Sequence, residues 1–236
     1  MVIRVGMLGL SEGDGHPFSF SSIINGYSDS GMAESGWPGI HAYLRRRDAS
    51  EFGGLNMEVT HAWTQYPDTT NTLCRAAKIP NAVADPSDLI GEVDAVIIAR
   101  DDFELHREMA APFLDVGMAV FVDKPLATNE PDLSYFAPFI HSGQLMSGSG
   151  MRFARELDEP RSTWDEYGTV RLIRGAILNE WERYGIHIID GILGMCSARP
   201  TSVSPVLASH DSVNVRMSDG SLVQIDALGA VAPCFR

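Results

Sequence analysis

Short apolar runs alternate with amphipathic stretches along the first half of the chain. Runs of strand length cover residues 2–10, 57–64, 93–100 and 119–125. Between them, apolar residues at helical spacing and helix-start and helix-end residues predict helices within 13–26, 39–47, 69–79 and 103–117. The run at 93–100 contains a continuous apolar stretch, residues 95–99, which is typical of a strand buried on both faces. Strands and helices in this alternation predict βαβ units and an α/β fold with a doubly wound parallel sheet.

The pattern changes after about residue 145, where strands dominate. Strands are predicted within 145–154, 168–178, 201–207, 212–218 and 221–231. Asp219-Gly220 is the pair that a tight hairpin turn prefers. A single helix, which begins at 181, interrupts these strands. We therefore predict two domains, residues 1–125 with the parallel sheet and residues 126–236 with a smaller α+β arrangement around an open, mostly antiparallel sheet.

Composition narrows the classes of function. The 236 residues carry a formal net charge of −13, which argues against nucleic acid because phosphate-backbone binding needs a basic surface. No apolar run reaches the length of a membrane helix, and the N-terminal "MVIRVGMLGL" is predicted to be a strand and not a signal peptide. Three scattered cysteines, Cys74, Cys196 and Cys234, are typical of a cytoplasmic protein without a disulfide framework.

Ligands of a doubly wound sheet bind beyond the carboxyl ends of its strands. The first such end is the turn "GLSEGDG", which resembles the dinucleotide fingerprint G-x-G-x-x-G but has Ser11 where the second glycine would stand. It predicts a phosphate site at the start of a helix, with a plain structural turn as the alternative. Lys124 ends the strand at 119–125, where a solvated surface charge is the alternative to a catalytic role. His106 follows the strand at 93–100 and is interpreted first as a structural histidine.

The helix "WERYGIHIIDGILG" (181–194) carries a second group of candidates. His187, Gly191 and Gly194 recur at i, i+4 and i+7, and Asp190 lies three residues after His187, so the imidazole and the carboxylate can share a face. A core histidine that is bonded to a neighbour is the alternative. A metal site is a further alternative, although two ligands do not make a site and no third has a telling spacing.

Taken in order, these motifs resemble the Gfo/Idh/MocA oxidoreductases, the glucose–fructose oxidoreductase and inositol dehydrogenase family. The resemblance rests on the Gly-rich first turn, on the apolar strand "VDAVIIA" followed by His106, on "VFVDKPLATN" with Asp123 in place of a glutamate, and on "YGIHIIDG". It implies an N-terminal Rossmann domain, a C-terminal α/β domain with an open sheet that often forms a dimer, and hydride transfer between NAD(P) and a carbon bearing oxygen on a sugar or cyclitol.

The resemblance also implies roles for individual residues. Lys124 matches the active-site lysine and His187 matches the acid/base histidine, a residue type whose pKa near neutrality suits proton transfer. Gly191 and Gly194 are expected to leave room beside His187. The residues predicted to bind the cofactor are Gly9, Ser11, Gly13, Gly15, His16, Thr64, Arg100, His106 and Lys124. The residues predicted to bind the substrate are Trp181, Arg183, Tyr184 and Asp190. The strand end "AWTQYPD" has neither an immediate carboxylate nor an arginine for the ribose, so the choice between NAD and NADP stays open.

Departures from the family pattern keep other functions open. Arg183 stands four residues before His187, where the family usually has a catalytic carboxylate, and the C-terminal sheet is shorter than usual. An arginine there predicts an anionic group on the substrate, with an outward surface salt bridge as the alternative. The same departures favour a non-catalytic nucleotide- or sugar-binding regulator on this fold. A metal-dependent hydrolase or lyase that uses His187 and Asp190 is the third hypothesis.

Overall fold

A computed structural model describes residues 1–231 of the chain. The chain divides into two compact units, Met1–Ser147 and Gly148–Arg236. The boundary between the units lies later in the chain than the predicted one after residue 125, because one more helix and one more strand, within residues 130–147, belong to the first unit. Each unit is described by itself.

The first unit is built on six parallel strands in the order β3-β2-β1-β4-β5-β6. The strands are β1 (Ile3–Leu8), β2 (Met57–Trp63), β3 (Asn81–Ala82), β4 (Ala95–Ile98), β5 (Ala119–Val122) and β6 (Leu145–Ser147). This is the strand order of the Rossmann fold, and the predicted doubly wound sheet is confirmed. The order reverses beside β1, between β1 and β4, which places the expected ligand crevice at the carboxyl ends of these two strands.

Helices cover both faces of this sheet. They are α1 (His16–Asn25), α2 (Asp29–Ala33), α3 (Pro38–Leu44), α4 (Pro67–Ala77), α5 (His106–Asp115) and α6 (Glu130–Ser142). One apolar cluster centres on Phe18, Met32 and Leu73, and a second centres on Phe113 and Phe136. The sheet is therefore buried on both faces, as the continuous apolar run of β4 predicts.

The second unit has a four-stranded sheet in the order β7-β10-β9-β8. Its strands are β7 (Leu172–Ile177), β8 (Pro200–Pro205), β9 (Asp211–Met217) and β10 (Leu222–Ala227). Only β7 and β10 pair in parallel, so the prediction of a mostly antiparallel sheet is confirmed. The hairpin between β9 and β10 turns at Gly220, whose φ of 86° suits glycine.

Helix α8 (Trp181–Leu193) packs on this sheet, and the short helix α7 (Asp158–Ser162) precedes it in the chain. The approach of α8 to β7 requires Gly175, because a Cβ at that position would lie 2.4 Å from Cγ2 of Ile188. The apolar cluster beneath α8 includes Ile192, Val223 and Ile225. One helix on a sheet of four strands makes a smaller core than those of the first unit.

The middle of the chain differs from the prediction in two places, one strand that is mostly absent and one helix that was not predicted. Only Leu145–Ser147 of the predicted strand at 145–154 is a strand, and it pairs with β5 in the first sheet. Residues Gly150–Phe153 form a 3-10 turn instead. Helix α6, which the periodicity did not predict, begins at the cap Asn129 and ends before Gly143, whose φ is 78°.

Among residues 1–231, no helix has the length and hydrophobicity needed to cross a bilayer. Cys74 and Cys196 are free thiols. Cys234 lies outside the described residues, so the assignment of the chain to a reducing cytoplasm stays a prediction.

Candidate functional site

The first turn of the chain joins β1 to α1 at the switch point of the sheet. Gly9 lets α1 pack against the end of β1, because a Cβ there would lie 2.3 Å from Cγ of Pro17. Ser11, which replaces the second glycine of the fingerprint, is buried. Its hydroxyl donates to Oδ1 of Asp101 at 2.7 Å and accepts the backbone N–H of Asp101 at 3.1 Å. The side chain of Ser11 therefore links the first turn to Asp101 in the loop after β4, whereas a glycine at this position has no side chain to do so.

The same turn presents backbone donors. Within residues 1–231, the amides of Ser11, Glu12, Gly13 and Gly15 donate to no protein acceptor. Gly13 has a φ of 77°, and a Cβ on it would meet only open space. These amides precede the ten-residue helix α1, whose dipole attracts negative charge at this end. The turn thus has the chemistry of an anion-binding site despite its altered sequence.

A short ion cluster lies at the start of α1. The ring of His16 hydrogen bonds through Nδ1 to Oδ2 of Asp123, and the same nitrogen lies 3.1 Å from Oδ1 of Asp14. Burial of the ring opposes its charge, but the hydrogen bonds to Asp123 and Asp14 outweigh burial and raise the pKa of His16 to about 9. His16 is therefore an imidazolium at neutral pH.

The ion cluster of His16, Asp14 and Asp123 is also the group that places three potential metal ligands together within the described range. Within the described range, His187 and Asp190 belong to no group of three such ligands. The structure therefore adds no third metal ligand to the pair on which the hydrolase hypothesis depends. The imidazolium of His16 already supplies the positive charge that two carboxylates require. Asp14 keeps one buried oxygen, Oδ2, without a hydrogen-bond partner. That oxygen is an acceptor for a donor from a bound molecule.

Lys124 follows directly after this cluster. It is 7% exposed, so it is not the solvated surface charge that a lysine at a strand end usually is. Its backbone N–H donates to Oδ1 of Asp123 at 2.8 Å. Asp123 therefore joins the position of Lys124 to that of His16, which fixes the end of β5 beside the first turn.

Residues after β2 and β4 complete the edge of the first sheet. Gln65 accepts the backbone N–H of Leu10 at 2.9 Å, and Nη1 of Arg100 donates to the same Gln65 oxygen at 3.2 Å. Nε of Arg100 donates to Asp102 at 2.8 Å, so the guanidinium is held within the protein. Thr64 is buried, and its hydroxyl bonds to Thr70 at 2.8 Å. Arg100 and Thr64 thus shape the edge through bonds to other residues.

A cavity of about 400 Å³ opens at the end of β2. Its lining includes Trp63, Thr64, Thr70 and Asn71 and contains no carboxylate. Asp68, the first carboxylate after β2 in the chain, lies exposed in the first turn of α4. The lining of the cavity therefore does not decide between NAD and NADP, a choice that the sequence also left open.

His106 is fully buried. Its Nδ1 lies 3.0 Å from the carbonyl oxygen of Leu126, and its Nε2 lies 2.8 Å from that of Arg100. Both ring nitrogens face backbone carbonyls of the loops after β4 and β5. This is the structural role that the simpler interpretation assigned, and a direct contact with a cofactor stays a prediction.

In the second unit, His187 is half-buried on α8 and is held by Ser149. Nδ1 of His187 lies 2.6 Å from the hydroxyl of Ser149, and this hydroxyl also accepts the backbone N–H of Met151 at 3.2 Å. Ser149 itself is 1% exposed. The predicted pairing of His187 with Asp190 is thus mediated by a third residue that the sequence did not reveal.

Asp190 is buried and holds the backbone of that serine. Its Oδ2 accepts the N–H of Ser149 at 2.6 Å, and its Oδ1 lies 3.5 Å from Nη2 of Arg152. Both oxygens of Asp190 are therefore engaged by the segment after β6, which suits a positioning role. A direct contact of Asp190 with substrate stays a prediction.

The two glycines on this face of α8 also differ from the prediction. We expected Gly191 and Gly194 to leave room for a substrate beside His187. Cβ atoms on them would instead contact Met151 at 3.7 Å and Arg152 at 3.3 Å. The glycines therefore let α8 pack closely on the turn at 150–153.

The remaining predicted substrate residues separate into two groups. Trp181 packs with the apolar cluster beneath α8 and covers Gly185, so its observed contacts are structural and its substrate contact stays a prediction. The ring of Tyr184 lies 6.0 Å from that of His187, centroid to centroid. Nε of Arg183 lies 3.9 Å from Glu180, and its side chain is 38% exposed. Tyr184 and Arg183 remain candidates for substrate binding.

Sequence reasoning missed Asp14, Gln65, Asp101 and Ser149. Asp14 and Asp101 had a local signal, since both lie at strand ends that were expected to bind ligands. The "GSG" at 148–150 was interpreted as part of a strand, although a glycine on each side of a serine is more typical of a turn.

Comparison with known proteins supports this architecture. A family model described as "Oxidoreductase family, NAD-binding Rossmann fold", that of the Gfo/Idh/MocA proteins, matches residues 31–135. A putative UDP-kanosamine synthase oxidoreductase subunit from Amycolatopsis mediterranei is 29% identical over 138 residues. The matched part is 58% of this chain and only 37% of that relative.

Solved structures of the same fold cover nearly the whole chain. Scyllo-inositol dehydrogenase from Lactobacillus casei, with bound NAD(H) and scyllo-inositol, gives a TM-score of 0.72 at 14% identity over 98% of this chain and 71% of that one. Myo-inositol 2-dehydrogenase from Lactobacillus plantarum gives 0.74 at 14% identity, with shares of 98% and 71%. UDP-N-acetylglucosamine 3-dehydrogenase from Acidithiobacillus ferrooxidans gives 0.67 at 14% identity, with shares of 99% and 72%. At this identity the likeness establishes the fold.

Proposed function

We propose that this chain, whose residues 31–135 match the Gfo/Idh/MocA model of oxidoreductases with an NAD-binding Rossmann fold, is a member of that family and an NAD(P)-dependent dehydrogenase of a sugar-like or cyclitol-like alcohol. The observation that carries the proposal is the edge of the first sheet, where amides without protein acceptors, the imidazolium of His16 and the buried Lys124 lie together. Anion-binding donors beside a buried ammonium suit a cofactor with a pyrophosphate and a reaction that develops charge on oxygen.

The residues of the first turn fit a dinucleotide. The amides of Glu12, Gly13 and Gly15 would donate to the pyrophosphate, and the positive ring of His16 offsets the carboxylates beside it. The orphan oxygen of Asp14 supplies a buried acceptor for a hydroxyl or amide donor. When bound, the nicotinamide exchanges a hydride with the carbon that bears the reacting oxygen. The enzyme must therefore manage the proton of that oxygen.

Lys124 is assigned the role of stabilising that oxygen. An ammonium that water does not surround favours a developing alkoxide more strongly than a solvated one, because the local dielectric is lower. Asp123 fixes the backbone of Lys124 through the 2.8 Å hydrogen bond, so the lysine follows a rigid strand end.

His187 is assigned the role of acid and base. In the oxidative direction Nε2 is assigned to take the hydroxyl proton, and in the reductive direction the imidazolium returns it. The ring is half-buried, and Ser149 holds its other nitrogen, Nδ1.

A lysine pair tests the proposal. Lys124→Met should lower kcat by roughly 100-fold or more, the usual scale for loss of electrostatic stabilisation, and leave the fold intact. The other lysine of the chain, Lys78, is exposed and gives the matched control Lys78→Met, which should retain wild-type kcat. Turnover would be followed by the absorbance of reduced nicotinamide with NAD⁺ and NADP⁺, against a panel of inositols, hexoses and nucleotide sugars. Full turnover by Lys124→Met would contradict the assignment.

We further propose that the substrate carries an anionic group held by Arg183. The arginine stands where a carboxylate is usual in the family, its side chain is partly exposed, and a guanidinium pairs with a carboxylate or phosphate through two parallel hydrogen bonds. The relatives include enzymes named for UDP-linked sugars, which are anionic, as well as enzymes named for neutral inositols.

Arg183→Gln tests this second proposal. The variant should raise KM for a UDP-sugar by roughly 10- to 100-fold, since a hydrogen bond to a charged group is worth about 1.5–3 kcal/mol, and should leave KM for a neutral polyol unchanged. Arg174→Gln on β7, which is also exposed, is the matched control. An equal effect of Arg183→Gln on both substrates would contradict an anion-specific role.

A non-catalytic regulator is the alternative function, and the arginine at 183 is the observation that favours it. Such a protein would bind the cofactor with normal affinity and turn over no member of the panel.

A homodimer through the four-stranded sheet is also proposed, because Val203 on β8 and the nearby Leu207 expose apolar side chains there. Light scattering of purified protein would give a monomer mass if this is wrong.

A further inference from the structure

The second unit contains a polar contact that the family resemblance does not account for. Residues 148–150 read Gly-Ser-Gly, and the middle residue lies between the two polar side chains of α8. Its hydroxyl meets Nδ1 of His187 at 2.6 Å, while its backbone N–H donates to Asp190 at 2.6 Å. One residue therefore connects the imidazole to the carboxylate, by its side chain on one side and by its main chain on the other.

We propose that Ser149 is the positioning residue for His187, and that its neutral hydroxyl performs the orienting role usually taken by a carboxylate. This inference rests on the proposed acid/base role of His187. The position that would carry the carboxylate holds Arg183, which cannot accept a hydrogen bond. A histidine that exchanges protons needs one nitrogen fixed so that the other is presented consistently.

The geometry makes the hydroxyl well suited to hold both protonation states. The N–H of Met151 occupies one lone pair of the Ser149 oxygen at 3.2 Å, which leaves the hydroxyl proton and a second lone pair for His187. In the neutral tautomer that can accept a proton at Nε2, Nδ1 carries the ring proton and donates it to the second lone pair of the Ser149 oxygen. In the imidazolium the same Nδ1–H donation persists. The proton gained or lost by His187 is therefore exchanged at Nε2, and Ser149 keeps its own proton throughout.

The surroundings fix Ser149 in place. It is 1% exposed, and the bond from its N–H to Asp190 restrains the main chain. Gly148 allows this approach, because a Cβ there would lie 3.3 Å from Oδ2 of Asp190. Arg152, 3.5 Å from the other oxygen of Asp190, balances its charge. The serine is thus held more rigidly than an exposed side chain could be.

The neutral partner has a chemical consequence. A carboxylate on Nδ1 would stabilise the imidazolium strongly by charge, whereas a hydroxyl stabilises it only by a hydrogen bond. Asp190 and Arg152 lie 3.5 Å apart beside the serine backbone, and the ring of Tyr184 lies 6.0 Å from that of His187, centroid to centroid. The hydroxyl of Ser149 thus holds Nδ1 without adding a charge to it.

Ser149→Ala tests the inference with a readout that does not need turnover. Long-range ¹⁵N–¹H spectra distinguish the two nitrogens of a histidine and report which one carries a proton. In wild-type protein we expect the ¹⁵N chemical shift of His187 Nδ1 to show its hydrogen bond, and we expect one neutral tautomer to dominate. In Ser149→Ala we expect the ¹⁵N chemical shift of Nδ1 to change and both neutral tautomers to be populated. Identical His187 spectra in the two proteins would overturn the proposal.

Kinetics supply the second readout, with the substrate of the panel that wild-type protein turns over fastest. Ser149→Ala should lower kcat by roughly 10- to 100-fold with KM within about threefold, because the ring is misplaced while binding groups remain. Ser149→Thr, which keeps the hydroxyl, should recover most of the loss. Ser28→Ala removes a comparable serine cap from α2, where the hydroxyl accepts the N–H of Gly31 at 3.1 Å, and should leave kcat unchanged.

The two readouts separate the failure of this inference from the failure of the proposed function. If wild-type protein turns over nothing, the spectra decide the role of Ser149 by themselves. If wild-type protein is active and Ser149→Ala keeps full kcat, the inference is wrong while the dehydrogenase assignment stands. An equal loss of kcat in Ser149→Ala and Ser28→Ala would reduce the serine to a general structural cap.

Discussion

Replacing His16 with asparagine removes a positive charge that lies between two carboxylates at the start of α1. Nδ1 of His16 bonds to Asp123 and lies 3.1 Å from Asp14, and both carboxylates are buried. Although burial opposes the charge, these bonds raise the pKa of His16 from 6.5 to about 9. A group whose pKa is higher in the folded state stabilises the fold fully below its unfolded pKa, and this stabilisation is lost as the pH rises through the folded pKa.

The magnitude follows from the change in pKa. The rise of about 2.5 in the pKa, from 6.5 to about 9, corresponds to at most about 3.5 kcal/mol, at about 1.4 kcal/mol per pKa unit. The side chain of His16 is 34% exposed, so solvent screening reduces the contribution, and we expect about 1–2 kcal/mol. The difference in unfolding free energy between wild type and His16→Asn should therefore narrow by that amount between about pH 6.5 and pH 9.5.

Urea unfolding across this pH range measures the effect, and NMR titration of the His16 ring measures its cause. The control is His16→Asn in an Asp123→Asn background, which lacks the carboxylate that bonds to the His16 ring. In this background the pH-dependent change in the unfolding free-energy difference should be half as large or less. A constant difference between wild type and His16→Asn at all pH values would refute the reasoning. A ring that titrates below about pH 7.5 would refute it as well, since the carboxylates would then not be stabilising the charge.

Three further predictions concern packing and unit boundaries. Gly9→Ala should destabilise the first unit by about 1–3 kcal/mol in urea unfolding, because its new Cβ would overlap α1, and wild-type stability would contradict the packing described. A fragment of residues 1–147 should unfold cooperatively in circular dichroism, whereas a fragment of residues 1–125 should not, because it lacks α6 and β6; the reverse result would restore the earlier boundary. Asp190→Ala should cost about 1–3 kcal/mol by leaving the N–H of Ser149 unpaired, and an unchanged melting temperature would show that this bond is dispensable.

The strands of the first sheet could be predicted because burial on both faces leaves a continuous apolar signature in sequence. The run "VDAVIIAR" contains β4 (Ala95–Ile98), and the residues after each strand contain most of the polar groups at the sheet edge. Helix α6 escaped prediction because Pro131 and Pro138 interrupt its pattern, although Pro131 lies in the first turn, where proline is tolerated.

The candidate site was less accessible to sequence reasoning because its contacts are distant in the chain. Ser149 and His187 are 38 residues apart, and no spacing rule joins a turn to a helix at that separation. The glycines of α8 were interpreted as space for a ligand, whereas Gly191 and Gly194 face the turn at 150–153. A missing side chain indicates a close approach, but the sequence does not identify what approaches.

The most direct test of the central claim is single-turnover formation of reduced nicotinamide by purified protein mixed with NAD⁺ or NADP⁺ and the panel of inositols, hexoses and nucleotide sugars. The account predicts that at least one alcohol gives stoichiometric reduced cofactor with wild-type protein, that Lys124→Met slows this step by roughly 100-fold or more, and that Lys78→Met does not. Tight binding of the cofactor without reduction by any alcohol, or equal rates for the two lysine variants, would contradict it.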